Sequence, residues 1–165
     1  MSSSARELRF TATDLAYVLS ALRAARDARE AFRLAADKAH EPALRDVARR
    51  GQVAWDDDNA RIVALLARWD RPEGTARPAM EAATELSVPP LQAIAPGPAH
   101  DLRLVAALSE SVEAAILRDR AEMIHGCEPA ARDLAEDHLR DAARHLSALR
   151  RALAPEHRLR GSAPA

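Results

Sequence analysis

The stretch EPALRDVA at Glu41–Ala48 returns as EPAARDLA at Glu128–Ala135, an offset of 87 residues. Six of the eight positions are identical, and the other two exchange one apolar residue for another. The same offset carries Asp14 and Leu15 onto Asp101 and Leu102, and Val18 onto Val105, so the match reaches one helix upstream. A proline just after a glutamate suits the first turn of a helix, where the missing N–H would have had no partner. The pattern reads as a duplicated helical hairpin. Two such hairpins packed about a pseudo-twofold axis should present functional residues as equivalent pairs.

Working outward, the first helix is expected over 13–39. Thr11 and Asp14 have capping-box spacing, and Leu15, Val18, Leu22, Ala25, Arg29, Phe32, Ala36 and Ala39 follow at steps of three and four. The second helix, 42–69, has the seam Leu44, Val47, Gly51, Ala54, Asp58, Ile62, Leu65 and Trp69. Prolines and glycines from Pro72 to Pro98 then break the pattern, with room for a short helix at 79–86. The third helix, 101–125, turns Leu104, Leu108, Val112, Ala115 or Ile116, Asp119 and Met123 inward and stops at Gly126. The fourth, 129–153, turns in Ala131, Leu134, His138, Ala142, His145, Leu149 and Ala152; residues 156–165 form a tail. A 26-residue helix is ~39 Å long, and the segment 70–100 can span that length. The expectation is a single all-α domain over 1–155: an antiparallel four-helix bundle of ferritin-like connectivity, two hairpins joined by a long crossover.

Composition narrows the function. Among 165 residues, 24 Lys and Arg face 25 Asp and Glu, a formal net charge of −1. Arg144, Arg150, Arg151, Arg158 and Arg160 make the C-terminal stretch basic, but Asp137, Asp141 and Glu156 interleave with them, and aromatic residues are scarce. A nucleic-acid partner is not expected. No apolar run approaches the length of a membrane span. The lone Cys127 allows no internal disulfide, and the expected location is the cytoplasm.

Several motifs carry a resemblance. Leu15 and Val18, Phe32 with Ala35 and Ala36, Pro42 with Leu44 and Arg45, His125-Gly126 before Glu128-Pro129, and Arg132 to Ala135 make residues 12–153 similar to a bacterial ferritin-like, rubrerythrin-related family described only as a domain of unknown function. The resemblance implies the two-hairpin fold. In di-iron members of the superfamily each hairpin supplies a Glu from its first helix and Glu-x-x-His from its second. Here neither second helix has Glu-x-x-His, and the mid-height seam positions hold Arg29 and its repeat equivalent Ile116, neither of which can ligate a cation.

A scattered polar set remains: Glu30, Asp57, Asp58, Glu110, Glu113, His138, Asp141 and His145. Within it Glu113, His138, Asp141 and His145 could form a mononuclear site for iron, manganese or zinc, since the two histidines share a helical face and Asp141 lies one turn from each. A buried histidine that simply hydrogen-bonds a carboxylate is the competing reading. Arg29 and Asp58 interrupt apolar seams on neighbouring helices and would fix register, by pairing together or with others of the set. Tyr17, Leu19, Trp55 and Leu66 form either an exposed strip for a homodimer or ordinary core. Small seam residues (Ala25, Gly51, Ala54, Ala115) leave room for an apolar ligand. No nucleophile elbow or phosphate loop occurs. The function expected is non-enzymatic, acting through packing or protein partners; the alternative is a metal-binding protein with a remodelled core site.

Overall fold

The computed structural model describes residues 10–69 and 97–154. These residues form four helices and no strand: α1 (Ala12–Lys38), α2 (Pro42–Arg68), α3 (Pro98–His125) and α4 (Pro129–Ala152). The expected segment 70–96, its short helix and the tail lie outside the described residues. Thr11 starts α1 with a reciprocal capping box: its hydroxyl accepts from Asp14 N at 3.2 Å, and Asp14 accepts from Thr11 N at 2.6 Å. The other three helices each begin with a proline, and α3 begins at Pro98, a turn ahead of Asp101.

Each helix packs on two neighbours, α1 on α2 and α3, and α4 on α2 and α3. Phe10, ahead of α1, stacks on Trp69, just past α2, with ring centroids 4.5 Å apart. The end of α1 meets the start of α3, where Asp101 holds the amides of His40 and Glu41. Trp69 and Asp101 therefore sit at opposite ends of α1.

Burial follows the repeat at most positions. In α1 seven of the ten buried positions, 14, 17, 21, 25, 28, 32 and 35, map by the offset of 87 onto buried 101, 104, 108, 112, 115, 119 and 122 in α3, while Val18, Leu22 and Ala36 map onto half-buried residues. In α2 the positions 44, 47, 48, 51, 55, 62 and 65 map onto buried 131, 134, 135, 138, 142, 149 and 152. One register therefore serves both hairpins.

Two expectations are corrected, and an open alternative is decided in favour of the core. Arg29 is not on the seam: it is exposed and pairs with Asp56 of α2, not Asp58, while Ala28 takes the inward position. Its equivalent is likewise Ala115, with Ile116 only half-buried. Tyr17, Trp55 and Leu66 are buried core residues, not an exposed strip. The room above Gly51 is filled, because the Phe32 ring lies so close that a Cβ there would collide with its Cδ1 and Cε1.

Candidate functional site

Toward the end of the bundle where α1 starts, each helix contributes one polar side chain to a buried chain. Tyr17 (α1) donates its hydroxyl to Asp119 Oδ1 (α3) at 3.1 Å. His138 (α4) lies between two carboxylates, its Nδ1 3.7 Å from Asp119 Oδ1 and its Nε2 3.6 Å from Asp58 Oδ1 (α2). Asp58, Asp119 and His138 are all buried. Neither ring nitrogen of His138 makes a hydrogen bond among the described residues, and Asp119 Oδ2 has none either. Arg118 covers Asp119 from the surface side, Nη2 to Oδ1 at 2.9 Å, with its guanidinium 6.0 Å above the Tyr17 ring. Burial, aided by Asp119, pushes the Tyr17 phenol well above its ordinary value. Burial also raises the Asp58 carboxyl, with His138 pulling it back.

This chain accounts for the carboxylates internally. Buried charge needs a partner or costs several kcal/mol. The His138 ring lies between Asp58 and Asp119, and Arg118 sets a positive charge against Asp119.

Beyond Asp58 an open cleft between α2 and α4 is lined by Ala54, Asp57, Asp58, Arg61, Asp141, Arg144 and His145. The four expected metal ligands are thus dispersed. Asp141 and His145 share the cleft; Asp141 is 2.9 Å from Arg144, and His145 stacks at 6.2 Å on Trp55. Burial lowers the His145 pKa, favouring its neutral form. His138 sits behind the cleft in the core. Glu113 is exposed on α3, 4.0 Å from Arg150. Among the described residues no group of three or more His, Cys, Asp and Glu is arranged to hold a metal ion.

The equivalent pairs expected from the repeat occur at the helix ends instead. Asp14 Oδ1 accepts from Cys127 N at 2.8 Å and Glu128 N at 3.1 Å, the start of α4. Asp101 accepts from His40 N and Glu41 N, both at 2.7 Å, the start of α2. Both the acceptor and the donors differ by 87, so each hairpin caps the other's second helix. The sequence reading saw in Asp14 only a local cap. The available signal was that α2 and α4 open on Glu41 and Glu128, residues outside the preferred capping set.

The two ends differ beside the capping aspartate. Next to Asp14 lies Glu122, buried, with both carboxyl oxygens unpartnered; at the equivalent place beside Asp101 stands Ala35. Burial and the adjacent Asp14 raise Glu122 to about 7. Burial also pushes Asp14 upward, but the hydrogen bonds from Thr11, Glu128 and Cys127 outweigh it and hold that carboxyl at about 2. Cys127 itself is exposed. No helix among the described residues is long and apolar enough to cross a membrane. Comparison with protein-family models, curated proteins and solved structures gives no match.

Proposed function

We propose that this chain is a non-catalytic, ferritin-like antiparallel bundle of the rubrerythrin-related kind its motifs resemble, and that it works by associating with a second copy of itself. The bundle reading is supported by which ends meet: Phe10 with Trp69, Asp14 with Glu128, Asp101 with Glu41. The non-catalytic reading is supported by a buried polar chain whose members face one another, Tyr17 and Arg118 on Asp119 and His138 between Asp119 and Asp58.

The association is carried by one observation. Leu102, Leu117 and Ile124 are 56%, 69% and 73% exposed, all on α3 and within a single helical face together with Ala106. The same face carries Glu110 and Glu113 toward its start and Arg120 toward its end. A second α3 laid antiparallel about an axis near Ala115 sets Glu110 against Arg120 of the partner subunit, places Leu117 opposite Glu113 of the partner subunit with the two Leu117 side chains about one turn apart, and covers Ile124 with Ala106 of the partner subunit. Sedimentation velocity tests this. The wild type is expected to run as a dimer and Leu117→Glu as a monomer with unchanged helix content; a wild type monomeric at every concentration discards it.

A second reading, a cation held in the core, has the unpartnered nitrogens of His138 between Asp58 and Asp119 behind it. Stoichiometric iron, manganese or zinc in purified protein, lost in His138→Ala, would favour it. Metal-free protein whose melting temperature ignores all three ions would remove it.

A further inference from the structure

Asp14 has no oxygen to spare for a donor: Oδ1 takes the amides of Cys127 and Glu128, and Oδ2 takes the Thr11 amide and hydroxyl. Glu122 is pressed beside it with two buried oxygens and no donor. A carboxylate there would face a second carboxylate across a buried contact, whereas a neutral carboxylic acid carries no charge to repel Asp14. The wall behind Glu122 is the Gly126 backbone, so close that a Cβ at that residue would strike the Glu122 carboxyl. The charged and titratable groups around Glu122 are Asp14 and Tyr17 on α1 and Arg132 on α4. Arg132 is exposed and solvent-screened, leaving Asp14 dominant.

We infer that Asp14 and Glu122 form a proton-dependent latch, which fastens the start of α1 to the α3–α4 turn while Glu122 is protonated and loosens it once that proton passes to water. Asp14 is the member that can leave, because it sits in the first turn of α1. Its departure frees the Cys127 and Glu128 amides and uncaps α4. The opposite end contains its own control: Asp101 holds His40 and Glu41 in the same manner, but with Ala35 in place of the acid. That end has no acid at the place of Glu122.

The test is residue-level amide hydrogen exchange from pH 5 to pH 8.5, corrected for intrinsic rates. Protection at Cys127 and Glu128 should fall at least tenfold relative to His40 and Glu41 across that range. In Glu122→Gln, whose amide is neutral at every pH, the ratio should stay level. Equal behaviour of the two ends in the wild type overturns the latch, as does an unchanged pH response in Glu122→Gln. If that variant does not fold, carbon-detected NMR titration of the wild-type Glu122 carboxyl decides: a midpoint near that of a free glutamate overturns the proposal, and one raised toward neutrality upholds it. None of these outcomes depends on the oligomeric state, so a failed latch and a failed dimer are separately visible.

Discussion

Two levels of the bundle, related by the repeat, use equivalent backbone positions from both hairpins to build opposite interiors. One set of equivalents is Tyr17, Asp58, Asp119 and His138; the offset of 87 maps it onto Leu104, His145, Phe32 and Gly51. In the second set the Phe32 ring fills the place a side chain at Gly51 would occupy, and its centroid lies 5.7 Å from the His145 ring. In the first, a carboxylate and an imidazole divide the corresponding space. Large-with-none has been exchanged for medium-with-medium, so both solutions fill their volume. The difference shows that the duplicated frame fixes shape but leaves polarity open. One half holds the fold by dispersion and burial, and the other by a chain of charges that must balance.

The sharpest way to break the polar half is Asp119→Ala. It strips Tyr17, Arg118 and His138 of their common partner, and such losses cost about 3–5 kcal/mol; chemical denaturation should show this together with a shifted His138 ring resonance. Next comes Glu122→Gln at the titrating end. A carboxyl raised from 4.5 to about 7 is favoured in the fold when neutral. Stability is therefore full below the unfolded value of 4.5, falls as pH rises from there to about 7, and is level above that. The replacement should be close to neutral at pH 4 and stabilise by up to ~3 kcal/mol at pH 8, read as a pH-dependent difference in melting temperature.

Gly51→Ala probes the apolar half. Phe32 must move to admit one methyl group, costing about 1–3 kcal/mol, whereas His138→Gln in the polar half keeps its volume and should disturb charge balance alone. Comparing the two by denaturation separates packing from electrostatics. The smallest effect belongs to Arg29→Met. A half-exposed ion pair such as Arg29 with Asp56 contributes ~0–1 kcal/mol, so fold and association state should be unchanged; a large loss would restore a register role for Arg29.

What was readable in the sequence follows from which forces are local. Helix spans and the inward Asp58, Asp119 and His138 came from periodicity and proline placement, both short-range. The seam slipped by one residue at mid-height because Ala25 to Phe32 can be bridged through Ala28 or Arg29 with equally good steps, and alanine advertises no face. Tyr17 stayed undecided between an exposed strip and the core because its hydroxyl's partner, Asp119, is 102 residues away. The dispersal of Glu113, His138, Asp141 and His145 depended on side-chain directions across α3 and α4, which spacing along one helix does not fix.

The exchanged caps at Asp14 and Asp101 bear on how the chain acquires its structure. Each second helix has its first turn completed by an acceptor 60 or more residues away, so an isolated hairpin would leave the start of α2 or α4 frayed. Loop closure must come before the cap is gained, which couples the halves into one cooperative folding event and slows it relative to a bundle stabilised only by neighbouring helices. It also describes an ancestor. A single hairpin with one such aspartate would have been finished only by meeting its twin, and gene fusion would then have turned an encounter between two molecules into one within a single chain.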